Sequence, residues 1–394
     1  MKNKILLSNL FILLICVNTL FGQPRKEVVG YYPSWKWRTN PNHLMTPDKI
    51  PYNKLTVVVY SFFKPMPDGS VCGRDSIGDR FILNGENVRI NGEIKSGTSL
   101  VTEAHRHGVK VLISIGGWDD ATEFPQLSAS EEKRARFAQS CVEQIQKYGF
   151  DGIDIDWEYP CYADHRGTPA DKENFTKLLQ ITRERLDEYG KKTDSHFLLT
   201  AALPAVDRVT QNYEMEKIAP LLDMLNIMTY DLNGEWDSLS GHNAPLYAPT
   251  SDDTLRNLDA AFNLFTVKYH IPASKINLGV PFYGHTYRDC QALYSVHHGV
   301  DTIHFSDQGC FFADLKQSKE KFIQKWDERA KVPYYIVPAW NELISYDDEE
   351  SVRLKAQYIL DHQACGLIIW EITGDYLLDG STPLLDAINT VFKK

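Results

Sequence analysis

The stretch FDGIDIDWEYP, Phe150 to Pro160, sets four acidic side chains, Asp151, Asp154, Asp156 and Glu158, among Ile153, Ile155 and Trp157. Residues two apart on a β-strand point the same way, so Asp154, Asp156 and Glu158 share one face, with roughly 7 Å between successive Cα atoms. Like charges crowded into a desolvated site split their pKa values, and at least one carboxyl keeps its proton near neutrality. A proton held on Glu158, the outermost of the three, is a general acid. Acids on a solvated edge strand would not alternate with partners as apolar as these. Asp151, at the start of the strand, is expected to be structural.

Such a strand needs a scaffold that buries both of its faces. Eight β-branched runs alternate with amphipathic helical patterns: EVVGYY (27–32), LTVVVYSFF (55–63), KVLISIGG (110–117), GIDIDWE (152–158), HFLLTAALP (196–204), MLNIMTY (224–230), INLGVPFYG (276–284) and GLIIWEI (366–372). Between the third and fourth, SEEKRARFAQSCVEQIQKYG puts Phe137, Cys141, Ile145 and Tyr148 on one helical face, with acids early and a glycine at the end. The rhythm and the count of eight predict an α/β fold, a closed (β/α)8 TIM barrel. Side chains near the C-terminal ends of its strands are then placed for chemistry. One long excursion breaks the rhythm after Gly284. Residues 285–344 are expected to form a small α+β insertion domain between strands 7 and 8, with 23–284 and 345–394 making the barrel.

The first 22 residues have lysines at 2 and 4, an apolar run and a polar end, the layout of a secretory signal peptide. Export makes the protein secreted or extracellular, or periplasmic in a bacterium. A lipoprotein reading through Cys16 is weakened by bulky Ile15 before it. No later run is long enough to cross a bilayer, so no membrane partner is expected. The formal charge is −10, and about −12 without the two leader lysines, and no basic stripe offers itself to phosphates, so nucleic acid is not an expected ligand. Six cysteines follow the leader, and spacing alone does not choose among their possible pairings; Cys290 and Cys310, close in a loop-rich stretch, are the favoured pair, and Cys141 and Cys365 are expected to be buried free thiols. No Cys or His spacing fits a metal site, so no metal is expected.

The acidic strand carries a resemblance. DGIDIDWE has the DxxDxDxE pattern of the family 18 glycoside hydrolases, the chitinase-like group. SIGGW (114–118), MTYDLNGEWD (228–237), GVPFYG (279–284), SYDDEESVRLKAQYI (345–359) and Trp370 resemble that family in the same order along nearly the whole mature chain. The resemblance implies a secreted chitinase acting on chitin or chitooligosaccharides as a monomer, without a cofactor. It also implies retention, with the substrate's own 2-acetamido oxygen as nucleophile. Glu158 would then be acid and base, Asp156 would orient the acetamido group, Asp154 would share a proton with Asp156, and Tyr230 would hydrogen-bond the acetamido carbonyl. Tyr32, Trp118, Met228, Asp231, Trp236, Tyr283 and Trp370 would bind the sugar chain, in keeping with stacking of pyranose C–H faces on aromatic rings. His285 stands where relatives commonly carry an arginine, which leaves subsite preference open. The alternatives are an endo-β-N-acetylglucosaminidase acting on N-glycans and a non-catalytic chitin-binding lectin; the lectin is disfavoured because Glu158 is retained.

Overall fold

The computed structural model describes residues 25–38, 45–90, 92–305 and 310–393. The leader and Cys16 lie outside the described residues. Each of the eight runs forms a strand: Glu27–Pro33, Val57–Pro65, Lys110–Gly116, Gly152–Asp156, Leu198–Pro204, Met224–Met228, Ile276–Pro281 and Gly366–Trp370. They pair in parallel with their sequence neighbours, and the first pairs with both the second and the eighth, closing a (β/α)8 barrel. A short strand, Val71–Gly73, adds antiparallel to the end of the second.

The runs read as apolar throughout because both faces are covered. Outward side chains such as Val28, Val58, Ile113, Ile153, Ile155, Leu199 and Leu225 join one continuous core with the helices. Inward ones, Val29, Tyr31, Val57, Val59, Leu112, Met224, Met228 and Ile368, form a separate cluster in the lumen. The helix Glu131–Tyr148 shows how the chain returns to the acidic strand: Ser130 caps it by accepting from the Lys133 N–H at 3.3 Å, and Gly149 ends it at φ 80°. Its Phe137, Cys141 and Ile145 are buried against the sheet.

After the seventh strand the chain builds a second, antiparallel sheet in the spatial order Cys310–Phe311, Tyr283–Arg288, Glu342–Ser345, Val332–Val337, Ile323–Asp327. A short helix, Phe312–Gln317, completes it. The sheet starts at Tyr283, two residues before the expected boundary at 285. Beyond it, Asp348 caps the helix Glu349–Asp361, and buried Lys355 on that helix reaches Asp347 at 2.6 and 2.7 Å.

The expected disulfide is corrected here, since the six described cysteines are free thiols. Cys310 pairs with Gly284 at the start of one strand, whereas Cys290 lies past its far end at Arg288. Four strand steps place Arg288 roughly 13 Å from Gly284, and Cys290 continues past that end, its N–H donating to the Asn341 carbonyl, well outside the Cα spacing of about 4.4–6.8 Å to Cys310 that a disulfide tolerates.

Candidate active site

Register, rather than any local motif, builds the floor of the site. In the parallel ladder Asp154 lies level with Ser114 on the third strand and Thr200 on the fifth, all facing the lumen. Both hydroxyls donate to its carboxylate, Ser114 Oγ at 2.8 Å and Thr200 Oγ1 at 2.5 Å. Tyr31 Oη donates from the first strand at 2.9 Å, and Asn226 Nδ2 from the sixth at 3.2 Å. Asn277 on the seventh extends the chain, donating to Asn226 Oδ1 at 3.0 Å. Burial raises the Asp154 carboxyl, and the four donors oppose that rise.

Asp156 sits one step nearer the mouth in different surroundings. It is buried, and its Oδ1 has no hydrogen-bond partner among the described residues. Burial first, then the charges of Glu158 and Asp154, push its carboxyl well above the ordinary range. The expected shared proton between Asp154 and Asp156 is not seen as a hydrogen bond: the Asp154 oxygens are engaged by the four donors instead.

The strand ladder ends at Asp156, so Glu158 stands on the turn that follows, not on the strand as expected. The third strand ends beside it in the SIGG glycines. Gly116 pairs with Asp156, and the Gly117 N–H donates to the Asp156 carbonyl at 2.8 Å. Gly117 has φ 81°, and a Cβ there would meet the Phe62 ring at 2.7 Å, so side-chain-bearing residues are excluded twice over. This close approach brings the Trp118 N–H to the Glu158 carboxyl. Burial raises that carboxyl to about 7; the hydrogen bond from Tyr159 opposes the rise, and the charges of Asp231 and Asp119 add to it. His165 Nδ1 lies 2.6 Å from the Glu158 carbonyl oxygen. Cis peptides join Ser61 to Phe62, Glu158 to Tyr159 and Trp370 to Glu371 at the mouths of three strands.

Around these acids the mouth is aromatic. Trp370 stacks on Phe62 at 5.5 Å and 18°, with Trp35 and Tyr31 at 6.4 and 5.8 Å. Trp118 is half exposed and lies 4.5 Å from the His165 ring and 5.7 Å from Tyr162. On the side of the sixth strand's loop, Tyr283 Oη donates to Asp231 Oδ1 at 2.5 Å, and His285 Nε2 lies 2.8 Å from the same atom. Trp236 is exposed and meets the His285 ring edge-on at 5.5 Å. Tyr230 is buried 6.2 Å from Tyr283, and Met228 lines the lumen beneath it. Burial and the charges of Asp156, Asp231 and Glu158 hold the Tyr230 phenol neutral. Asn243 ties the wall together, accepting from the Asp231 N–H at 2.7 Å and donating to the Tyr283 carbonyl at 3.2 Å.

Glu158, Asp156, Asp154, Tyr230, Met228, Asp231, Tyr283, Trp118, Trp236 and Trp370 therefore gather at one barrel mouth. Tyr32 does not, and its expectation is corrected. It is fully buried on the outer side of the first strand, donating to the Met45 carbonyl at 2.6 Å, while its neighbour Tyr31 faces the lumen. Asp151 is remote from the mouth, accepting from the Val111 N–H at 2.6 Å and lying 2.8 Å from His105 Nε2. Sequence reasoning missed Tyr31, Ser114, Thr200, Asn226, Phe62 and Asn243. Counting parity outward from Asp154 along paired strands would have found the first four.

A sequence profile described as glycosyl hydrolases family 18 matches residues 27–375. The chain is 33% identical over 399 residues to Chitinase A1 of Niallia circulans, a match covering 89% of this chain and 56% of that protein, so it spans little more than half of that relative's length. Of solved structures, the Group IV chitinase of Ostrinia furnacalis is similar with a TM-score of 0.81 at 29% identity, covering 94% of this chain and 100% of that one. A family 18 N-acetylglucosaminidase from Paenibacillus barengoltzii is similar with a TM-score of 0.76 at 30% identity, covering 93% and 99%.

Proposed function

From the premise that the chain belongs to glycosyl hydrolase family 18, we propose that it hydrolyses β-1,4-linked N-acetylglucosamine chains, as chitin or chitooligosaccharides, with retention at the anomeric carbon. The observation that carries this reading is the gathering of Asp154, Asp156 with its unpartnered Oδ1, and Glu158 at one aromatic barrel mouth, where burial raises the Glu158 carboxyl to about 7. A glycosidic oxygen is a poor leaving group until it is protonated, and an acid poised near the working pH supplies that proton most efficiently. Glu158 donates it. The acetamido oxygen of the sugar on the Trp370 side attacks the anomeric carbon, giving an oxazolinium, and Glu158, now a carboxylate, takes a proton from the water that opens it.

Asp156 orients the acetamido N–H through its unpartnered Oδ1 and stabilises positive charge as it develops. Asp154 fixes the field behind Asp156, and the neutral Tyr230 hydroxyl donates to the acetamido carbonyl. Trp370 carries the scissile sugar on its face; Trp118 and Trp236 grip the chain beyond it. Export through the first 22 residues belongs to the same reading; among the described residues no helix is long and apolar enough to cross a membrane.

The test is hydrolysis of chitotetraose by wild type and Glu158→Gln, with product anomers followed by NMR. β-Anomer release that disappears in the variant is expected. Binding without wild-type turnover would replace the enzyme by a lectin, and turnover by the variant would place the acid elsewhere. A second reading, cleavage within the chitobiose core of N-glycans, rests on the same acid at Glu158 and the same acetamido-orienting carboxyl at Asp156, since that core carries the same acetamido group. Release of glycans from a high-mannose glycoprotein faster than cleavage of chitotetraose would select it.

A further inference from the structure

We propose that Asp301, His304 and Glu342, on the inserted sheet and its loop, form a site for one divalent cation of the zinc type, apart from the barrel mouth. Their three ligand atoms all lie within 4.8 Å of one another. Spacing along the sequence gave no hint of this, since Glu342 is brought in from the far side of the insertion by its strand.

The decisive side chain is Glu342. It is only 3% exposed, and its buried Oε2 meets no donor among the described residues: its side chain faces the Asp301 carboxylate instead. Arg288 is its backbone partner across the antiparallel pair, yet no ion pair joins the two side chains. A buried carboxylate left in this condition is costly unless a proton or a cation compensates it. The second carboxylate, Asp301, is also buried and is held rigidly. Its N–H donates to Thr286 Oγ1 at 2.7 Å, and its Oδ1 accepts from the Ile303 and His304 N–H groups at 2.7 and 3.0 Å. The loop is thus wound around this carboxylate. The third ligand, His304, presents Nδ1 at 2.9 Å from Asp301 Oδ2, and its ring lies flat on Trp340 at 3.8 Å and 9°.

Two carboxylates and one imidazole suit zinc and its neighbours, which accept mixed nitrogen and oxygen ligands at about 2.0–2.2 Å. Calcium asks for about six to eight oxygens, more than the site offers. A zinc ion would take the place of the proton between His304 Nδ1 and Asp301 Oδ2, which already lie 2.9 Å apart, since metal binding requires a deprotonated imidazole nitrogen. The bound ion would pin the loop carrying Asp301 and His304 to the strand Glu342–Ser345. The competing arrangement is a proton shared between Glu342 and Asp301, with no metal.

Full-length protein stripped with EDTA would be titrated calorimetrically with zinc chloride, and its zinc content measured after gel filtration. About one equivalent is expected for wild type, with a rise in melting temperature, and loss of both in His304→Ala and Glu342→Gln. Magnesium and calcium should not substitute. His304 is exposed, so its alanine variant tests the site even where Glu342→Gln disturbs folding. Absence of saturable binding in wild type, or binding undiminished in His304→Ala, overturns the site. Absence of zinc binding together with a more stable Glu342→Gln assigns the pair to a shared proton instead.

Discussion

Replacing Glu158 by Gln should do two opposite things, and the second is the sharper test of the structure. Turnover of chitotetraose should fall by about 10²–10⁴-fold, because the amide cannot deliver a proton. Stability should rise, and only at higher pH. The folded carboxyl titrates at about 7 against an ordinary 4.5, so at low pH it is protonated in folded and unfolded chains alike and the glutamine gains little. As pH climbs from 4.5 to about 7, the unfolded chain ionises Glu158 freely while the folded chain resists. Wild type therefore loses stability across that window and the variant does not. The displacement corresponds to about 3 kcal/mol; solvent reaching the half-buried side chain screens part of it, leaving about 1–3 kcal/mol. For a chain of this size that is roughly 1–4 °C in melting temperature. Thermal and urea unfolding of both proteins at pH 4, 6 and 8 measures it. A difference that stays constant with pH, or that turns against the variant at pH 8, would refute the claim that Glu158 is held in a site hostile to its charge.

Other consequences are open to simpler assays. The pH profile of kcat/KM should fall on its alkaline side near 7, where Glu158 loses its proton, and Asp231→Asn should move that limb downward, because the Asp231 charge helps to hold the proton on; an unmoved limb would count against the coupling. Tyr31→Phe should cost about 1–3 kcal/mol in urea unfolding, since it removes one of four donors to the buried Asp154 carboxylate, and should lower kcat. Tyr32→Phe, which loses only a bond to the Met45 carbonyl on the outer face, should leave kcat unchanged. Lys355→Met should destabilise by about 3–5 kcal/mol in urea unfolding by stranding the buried carboxylate of Asp347, and adding Asp347→Asn should restore part of the loss.

The strands were legible because burial on both faces writes each one as an apolar run, and the acids because nothing else explains carboxylates at every second position of such a run. The same double burial hid the parity of the first strand. Tyr31 and Tyr32 are neighbours of one type, both covered, and only the pairing with Asp154 tells which faces the lumen. The polar floor was unreadable for a related reason. Ser114, Thr200 and Asn226 are unremarkable in their own strands and acquire a role only when register sets them level with or beside Asp154. Closeness in sequence misled for the cysteines, where an intervening extended strand carries Cys290 away from Cys310. The turn that holds Glu158 depends on Gly116 and Gly117 of another strand, a contact no single segment announces.

The excursion that raises the inserted sheet leaves and re-enters the barrel through one doorway, since His285 near its start faces Ser345 at its end as antiparallel partners. Seen from the seventh and eighth strands it is a loop already closed. Lengthening or shortening the chain between those two residues changes the closure entropy only logarithmically, by about 0.6 kcal/mol per doubling. The height of the wall beside the acids can therefore drift through insertions and deletions while the barrel and its carboxylates stay fixed, so that the depth of the mouth and the chemistry at its centre are free to evolve on separate clocks.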